Sequence, residues 1–74
     1  MAIAEDRKKE LLYRMTRLLL EGVSPDDAFK RVADDAYISG RRNRRSLRNA
    51  WKRSQIFQRW AASNPEEAKE LCWD

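Results

Sequence analysis

The residues of this 74-residue chain best equipped for chemistry are all of one sign. Arg41, Arg42, Arg44, Arg45, Arg48, Lys52, Arg53 and Arg59 make up half of the 16 Lys and Arg residues, and no Asp or Glu falls between residues 36 and 65. Residues 1–35 are nearly neutral, with seven basic against eight acidic side chains, and residues 66–74 carry one Lys against four acids. The modest net charge of +4 therefore conceals a cationic block. A charge run ordinarily forms a solvated face, but such faces mix both signs and pair acids with bases at i, i+4. A block of bases with no acid weakens its own helix by repulsion and carries the electrostatic footprint of a phosphate-binding face.

Catalytic chemistry is poorly supplied. The chain has no His, and its single Cys is Cys72; a Ser or Cys nucleophile would lack the usual imidazole base. Neither an internal disulfide nor a Cys/His metal cluster can be built. Asp34 and Asp35 are neighbours, so on a helix they point about 100° apart rather than converging. With only Gly22 and Gly40, no glycine-rich phosphate loop exists. A non-enzymatic protein is expected, without catalytic residues, metal or cofactor.

The elements that must position the basic block are helices. Leu11, Leu12, Met15, Leu18 and Leu19 follow helical spacing, and the pattern predicts a first helix from about Ala4 to Glu21, closed by Gly22. Ser24-Pro25-Asp26-Asp27 combines an N-cap, a first-position proline and acids in the first turn. The second helix it opens turns Ala28, Phe29, Val32, Ala33 and Ala36 inward and breaks near Ile38-Ser39-Gly40. A third helix covers about Arg42 to Arg53, with Leu47, Ala50 and Trp51 as its apolar face. From Ser54 the chain either starts a further helix carrying Ile56, Phe57, Trp60 and Ala61 or continues the third straight through. Asn64-Pro65-Glu66-Glu67 repeats the cap signature and predicts a last helix from Pro65 to about Cys72, docked by Ala68, Leu71 and Trp73. Strand signals are lacking. The fold class is all-α, one small domain of four or five short helices spanning residues 1–74.

At 100° per residue, Arg41, Arg45, Arg48 and Lys52 are expected on one stripe opposite Leu47, Ala50 and Trp51, with Arg42, Asn49 and Arg53 on a second stripe beside it. A helix docked by its apolar side and cationic outside suits the major groove of DNA, where arginine reads guanine and Asn49 would read adenine. Arg45, Arg48, Asn49 and Lys52 are the expected base contacts, with Arg41, Arg42 and Arg53 flanking them near phosphates. Trp51, Trp60 and Trp73 have base stacking as their sharp reading, but beside Leu47, Ile56 and Phe57 they are expected in the core.

The order of a capped second helix, a turn at Tyr37-Ile38-Ser39-Gly40 and a basic helix resembles a helix-turn-helix unit, and more closely the N-terminal DNA-binding domain of phage terminase small subunits. Ser24, Ala28, Ala33, Tyr37 and Ser39, followed by the 41–53 helix, carry the resemblance across roughly half the chain. It implies that the third helix is the recognition helix and that duplex DNA is the partner. Arg41-Arg42-Asn43-Arg44-Arg45 with Trp51 is similar to the arginine-rich RNA-binding helix of lentiviral Rev proteins and, more loosely, of phage antitermination proteins, which makes RNA the second choice. A third alternative is a phage-type adaptor or inhibitor that presents its basic helix to an acidic protein surface.

Chain length bounds the rest. A domain of roughly 60 residues buries only about 60% of its unfolded surface, so support from a homo-oligomer or a protein partner is expected. The leucine-rich stretch of helix 1 is broken by Arg14 and Arg17 and is too short and charged to span a bilayer; no secretory signal is read in Met1–Asp6. A cytoplasmic protein with one free thiol is expected.

Overall fold

The computed structural model describes residues 3–71, and among them five helices and no strand are formed. The helices are α1 (Glu5–Leu20), α2 (Pro25–Asp35), α3 (Arg41–Arg53), α4 (Gln55–Ser63) and α5 (Pro65–Glu70). The all-α class is as expected, and α1 to α3 start and end within a residue or two of their expected bounds, apart from the end of α2. Cys72, the expected end of the last helix, and Trp73, expected to dock it, lie outside the described residues.

Apolar spacing explains which face each helix buries. Leu11 and Met15 from α1, Ala28, Phe29, Val32 and Ala33 from α2, Ile38 from the turn that follows, Leu47 and Trp51 from α3, and Phe57 from α4 form one core. Removing a Leu, Phe or Met side chain of this kind from water is worth about 1.5–3 kcal/mol. Trp51 lies at the centre with no exposed surface. Its indole Nε1 donates to Pro25 O at 3.2 Å, and Phe57 meets its ring edge-on at a centroid distance of 5.6 Å. One residue thereby ties α3 to the first turn of α2 and to α4, with its polar atom satisfied.

The junctions follow from local chemistry. Ser24 Oγ accepts from Asp27 N at 3.3 Å, as a cap before Pro25 should. Ser54 breaks the helix there: its backbone is extended, its hydroxyl donates to Trp51 O at 2.6 Å and accepts from Phe57 N at 3.3 Å. One hydroxyl thus closes α3 and opens α4, because it is both donor and acceptor. Asn64 corrects an expectation. It stands before Pro65 but makes no side-chain cap for α5; its Nδ2 donates back to Trp60 O at 2.9 Å. With a single residue between α4 and α5, the planar amide serves the carbonyl end of α4 instead. Ala36 and Ala50, expected inward, are only half-buried.

Two helices end in the same hydrogen-bonded close. After α1, Val23 N donates to Leu18 O (3.0 Å) and Gly22 N to Leu19 O (3.1 Å); after α2, Ile38 N donates to Ala33 O (2.9 Å) and Tyr37 N to Asp34 O (3.1 Å). The close needs one left-handed residue, which is Gly22 (φ +98°) in the first case and Tyr37 (φ +55°) in the second. A side chain in that conformation costs roughly 1–2 kcal/mol. Because of this close, α2 stops at Asp35, earlier than the expected break at Ile38, and Ile38 folds back into the core beside Ala33.

Candidate nucleic-acid interface

Seven of the 13 residues of α3 are Arg or Lys. Arg41 and Arg42 stand in its first turn, where the helix dipole favours acids, and Gly40 before them offers no side-chain cap. Like charges recur at i, i+3 and i, i+4 along it, each pair costing about 0.2–0.5 kcal/mol. This helix is held by its docking, not by its composition. Leu47 and Trp51, both at 0% exposure, are the residues that dock it.

The docking seam decides which basic residues face away. At 100° per residue, Arg44 lies about 40° and Arg48 about 80° from the middle of the seam, on the same side of it. Both guanidinium groups sit over the Phe29 ring of α2, 5.8 Å from its centroid for Arg44 and 5.5 Å for Arg48. The Nε atom of Arg48 is buried. Arg44 Nη1 also donates to Ile38 O at 3.1 Å and pairs with Asp34 Oδ1 at 3.4 Å. The expectation that Arg48 lies on an outer stripe opposite Trp51 is therefore corrected. Arg44 and Arg48 clasp α2, because the periodicity of the helix brings them to the edge of the buried face.

Opposite the seam, Arg42, Arg45 and Asn49 fall in line at i, i+3 and i+7. Arg41 and Lys52 flank that line on one side and Arg53 on the other. Arg41, Arg42, Arg45 and Arg53 are exposed, and among the described residues their side chains make no ion pair or hydrogen bond. Two shallow depressions meet at Asn49. One is lined by Arg45, Asn49, Lys52, Arg53 and Gln58, the other by Lys8, Arg42, Arg45, Ser46, Asn49, Ala50 and Arg53. Asn49 thus shares these depressions with Arg42, Arg45, Lys52 and Arg53, with Lys8 brought in from α1 and Gln58 from α4. Gln58 is fixed by its Nε2 donating to Lys52 O at 2.8 Å.

Lys8 and Gln58 are the residues that sequence reasoning missed. Lys8 belongs to a mixed-charge helix and lies within reach of Glu5 at 3.9 Å, so nothing in its neighbours along the chain marks it. Trp51, the tryptophan that follows the arginine tract, is fully buried and turned away from this surface, while Trp60 is half-buried against Phe57 at 5.8 Å. Neither Asp34 nor Asp35 lines these depressions, and Asp34 is engaged by Arg44 at the end of α2. Among the described residues, no helix is long and apolar enough to cross a membrane.

No family model, no curated protein and no solved structure matches this chain. Function must accordingly be argued from the site.

Proposed function

We propose that this chain is a non-enzymatic nucleic-acid-binding domain that engages duplex DNA through the outer face of α3. The observation that carries the reading is the line Arg42, Arg45 and Asn49, flanked by Arg41, Lys52 and Arg53 and extended by Lys8. No acid is interspersed along residues 36–65. Such a helix carries a cost in isolation, from like-charge repulsion and an unfavourable first turn, and a polyanion removes that cost on contact. A sequence that keeps an internally repulsive surface is consistent with selection for a partner rather than for the fold.

The roles divide by geometry. A helix in the major groove offers its central outward line to base edges, so Arg42, Arg45 and Asn49 address bases: arginine to guanine, the amide to adenine. Arg41, Lys52, Arg53 and Lys8 stand to the sides and meet phosphates, which supply most of the affinity. Arg44 and Arg48 hold α3 at its angle to α2. In this reading α2, residues 36–40 and α3 act as a helix-turn-helix unit similar to that of phage terminase small subunits, with α3 as the recognition helix. DNA is favoured over RNA because the tryptophan beside the arginine tract, Trp51, is buried and cannot stack on a base.

The test is fluorescence anisotropy with a labelled random-sequence duplex at two salt concentrations. Binding should be tight at low salt and fall steeply as salt rises, with a logarithmic slope of about −0.9 for each phosphate neutralised. Absence of binding at low salt refutes the proposal. Preferential competition by a structured RNA over the duplex would transfer the site to RNA.

A further inference from the structure

The closes of α1 and α2 are alike in hydrogen bonding and differ in the residue given the left-handed position. Glycine fills it after α1, where it meets no steric objection. Tyrosine fills it after α2, against the preference of its own Cβ. The closing hydrogen bonds and the burial of Ile38 account for the backbone conformation but not for the side chain: Tyr37 is 90% exposed, and its side chain makes no hydrogen bond or ring contact among the described residues.

Tyr37 is nevertheless held in place by its neighbours. The carbonyl before it, Ala36 O, accepts from Arg7 Nη2 at 3.3 Å, and the carbonyl after it, Ile38 O, accepts from Arg44 Nη1 at 3.1 Å. An exposed phenol thus stands four residues before α3 on a backbone whose flanking carbonyls are both held by guanidinium groups. Of the two acids that end α2, Asp34 is paired with Arg44 at 3.4 Å and Asp35 is exposed. Residues held in such conformations by the structure around them cluster at binding and catalytic sites.

We propose that Tyr37 is a nucleic-acid contact, its phenolic hydroxyl donating to a backbone phosphate beside the groove that α3 enters; this rests on the assignment of α3 as the duplex-binding helix. A tyrosine hydroxyl is a neutral phosphate donor, so it sets register without releasing a counterion. Arg7, which holds Ala36 O, brings a cation beside the phenol, while the charge of Arg44 is shared with Asp34. Loss of the contact should consequently lower affinity equally at all salt concentrations, unlike loss of a cationic contact.

Tyr37→Phe and Tyr37→Gly in the full chain test this against the labelled duplex at two salt concentrations, with thermal melts alongside. Both variants should bind about tenfold more weakly than wild type, each with the wild-type salt slope. Tyr37→Gly should melt at or above the wild-type temperature, since glycine relieves the strain. Wild-type affinity in Tyr37→Phe, beside a wild-type protein that does bind, overturns the contact and leaves the role of α3 intact. A Tyr37→Gly variant that melts well below wild type overturns it as well, by making Tyr37 a structural residue. If the wild-type protein fails to bind at low salt, both the contact and the assignment of α3 fall.

Discussion

Arg45 and Arg48 are three residues apart in the same basic helix, yet their replacement by alanine should have opposite consequences. Arg48 lies 5.5 Å from the centroid of Phe29, a ring that is itself 3% exposed, and its Nε is buried. A cation over a partly desolvated ring is worth about 1–2 kcal/mol. Truncation to alanine also removes two methylenes, and their partial burial adds roughly 0.8 kcal/mol for one methylene's equivalent. Relief of repulsion with Arg44, Arg45 and Lys52 returns a few tenths per pair. The net loss is about 1–2 kcal/mol, and at roughly 4–8 °C per kcal/mol for a domain of this size Arg48→Ala should melt about 5–15 °C lower. Its affinity, measured well below that midpoint, should stay near wild type apart from the loss of one distant charge. Arg45→Ala removes an exposed, unpartnered cation, so stability should move by less than about 0.5 kcal/mol. Binding to a selected site should weaken by about 1–3 kcal/mol. Circular dichroism melts and anisotropy titrations on the two variants decide the matter. If Arg48→Ala melts as wild type and loses affinity as Arg45→Ala does, the clasp on Phe29 is not what Arg48 is for.

Three further expectations concern the junctions and the edge of the site. Ser54→Ala should cost about 1 kcal/mol, because the hydroxyl caps α4 and closes α3 at once, whereas Asn64→Asp should not stabilise the fold, because a carboxylate has no N–H to donate and the bond to Trp60 O is lost; equal melting of Ser54→Ala and wild type would remove Ser54 as a cap. Lys8→Ala should lower the salt slope of duplex binding by about one unit without changing sequence preference; an unchanged slope would take α1 out of the interface.

Much of the fold was legible in the chain because it rests on local rules. Leu11 and Met15, Phe29 and Val32, and Leu47 and Trp51 recur at i, i+3 or i, i+4, and that spacing names the buried faces without knowledge of what they meet. Ser24-Pro25 announces the start of α2 through chemistry confined to four residues. The one-signed block at 41–59 was equally visible, since it is a property of composition. Local rules failed where two demands fell on one residue. Asn64 had the identity of a cap but served the helix before it, and Tyr37 took a position that sequence preference assigns to glycine.

What residue types and spacing determined was which segments are helical, which stripes are apolar and where the positive charge lies. What only the tertiary structure decided was how that charge is shared out. The seam of α3 runs through Leu47 and Trp51 alone, with Ala50 half out of it, and this small rotation moves Arg48 from the outer face to a place against Phe29. The same packing brings Lys8 of α1 and Gln58 of α4 beside Asn49, across separations in sequence that no periodicity spans. The reason is physical: periodicity is a rule about one helix, whereas the orientation of a helix about its own axis is settled by the shape of the partner it buries against.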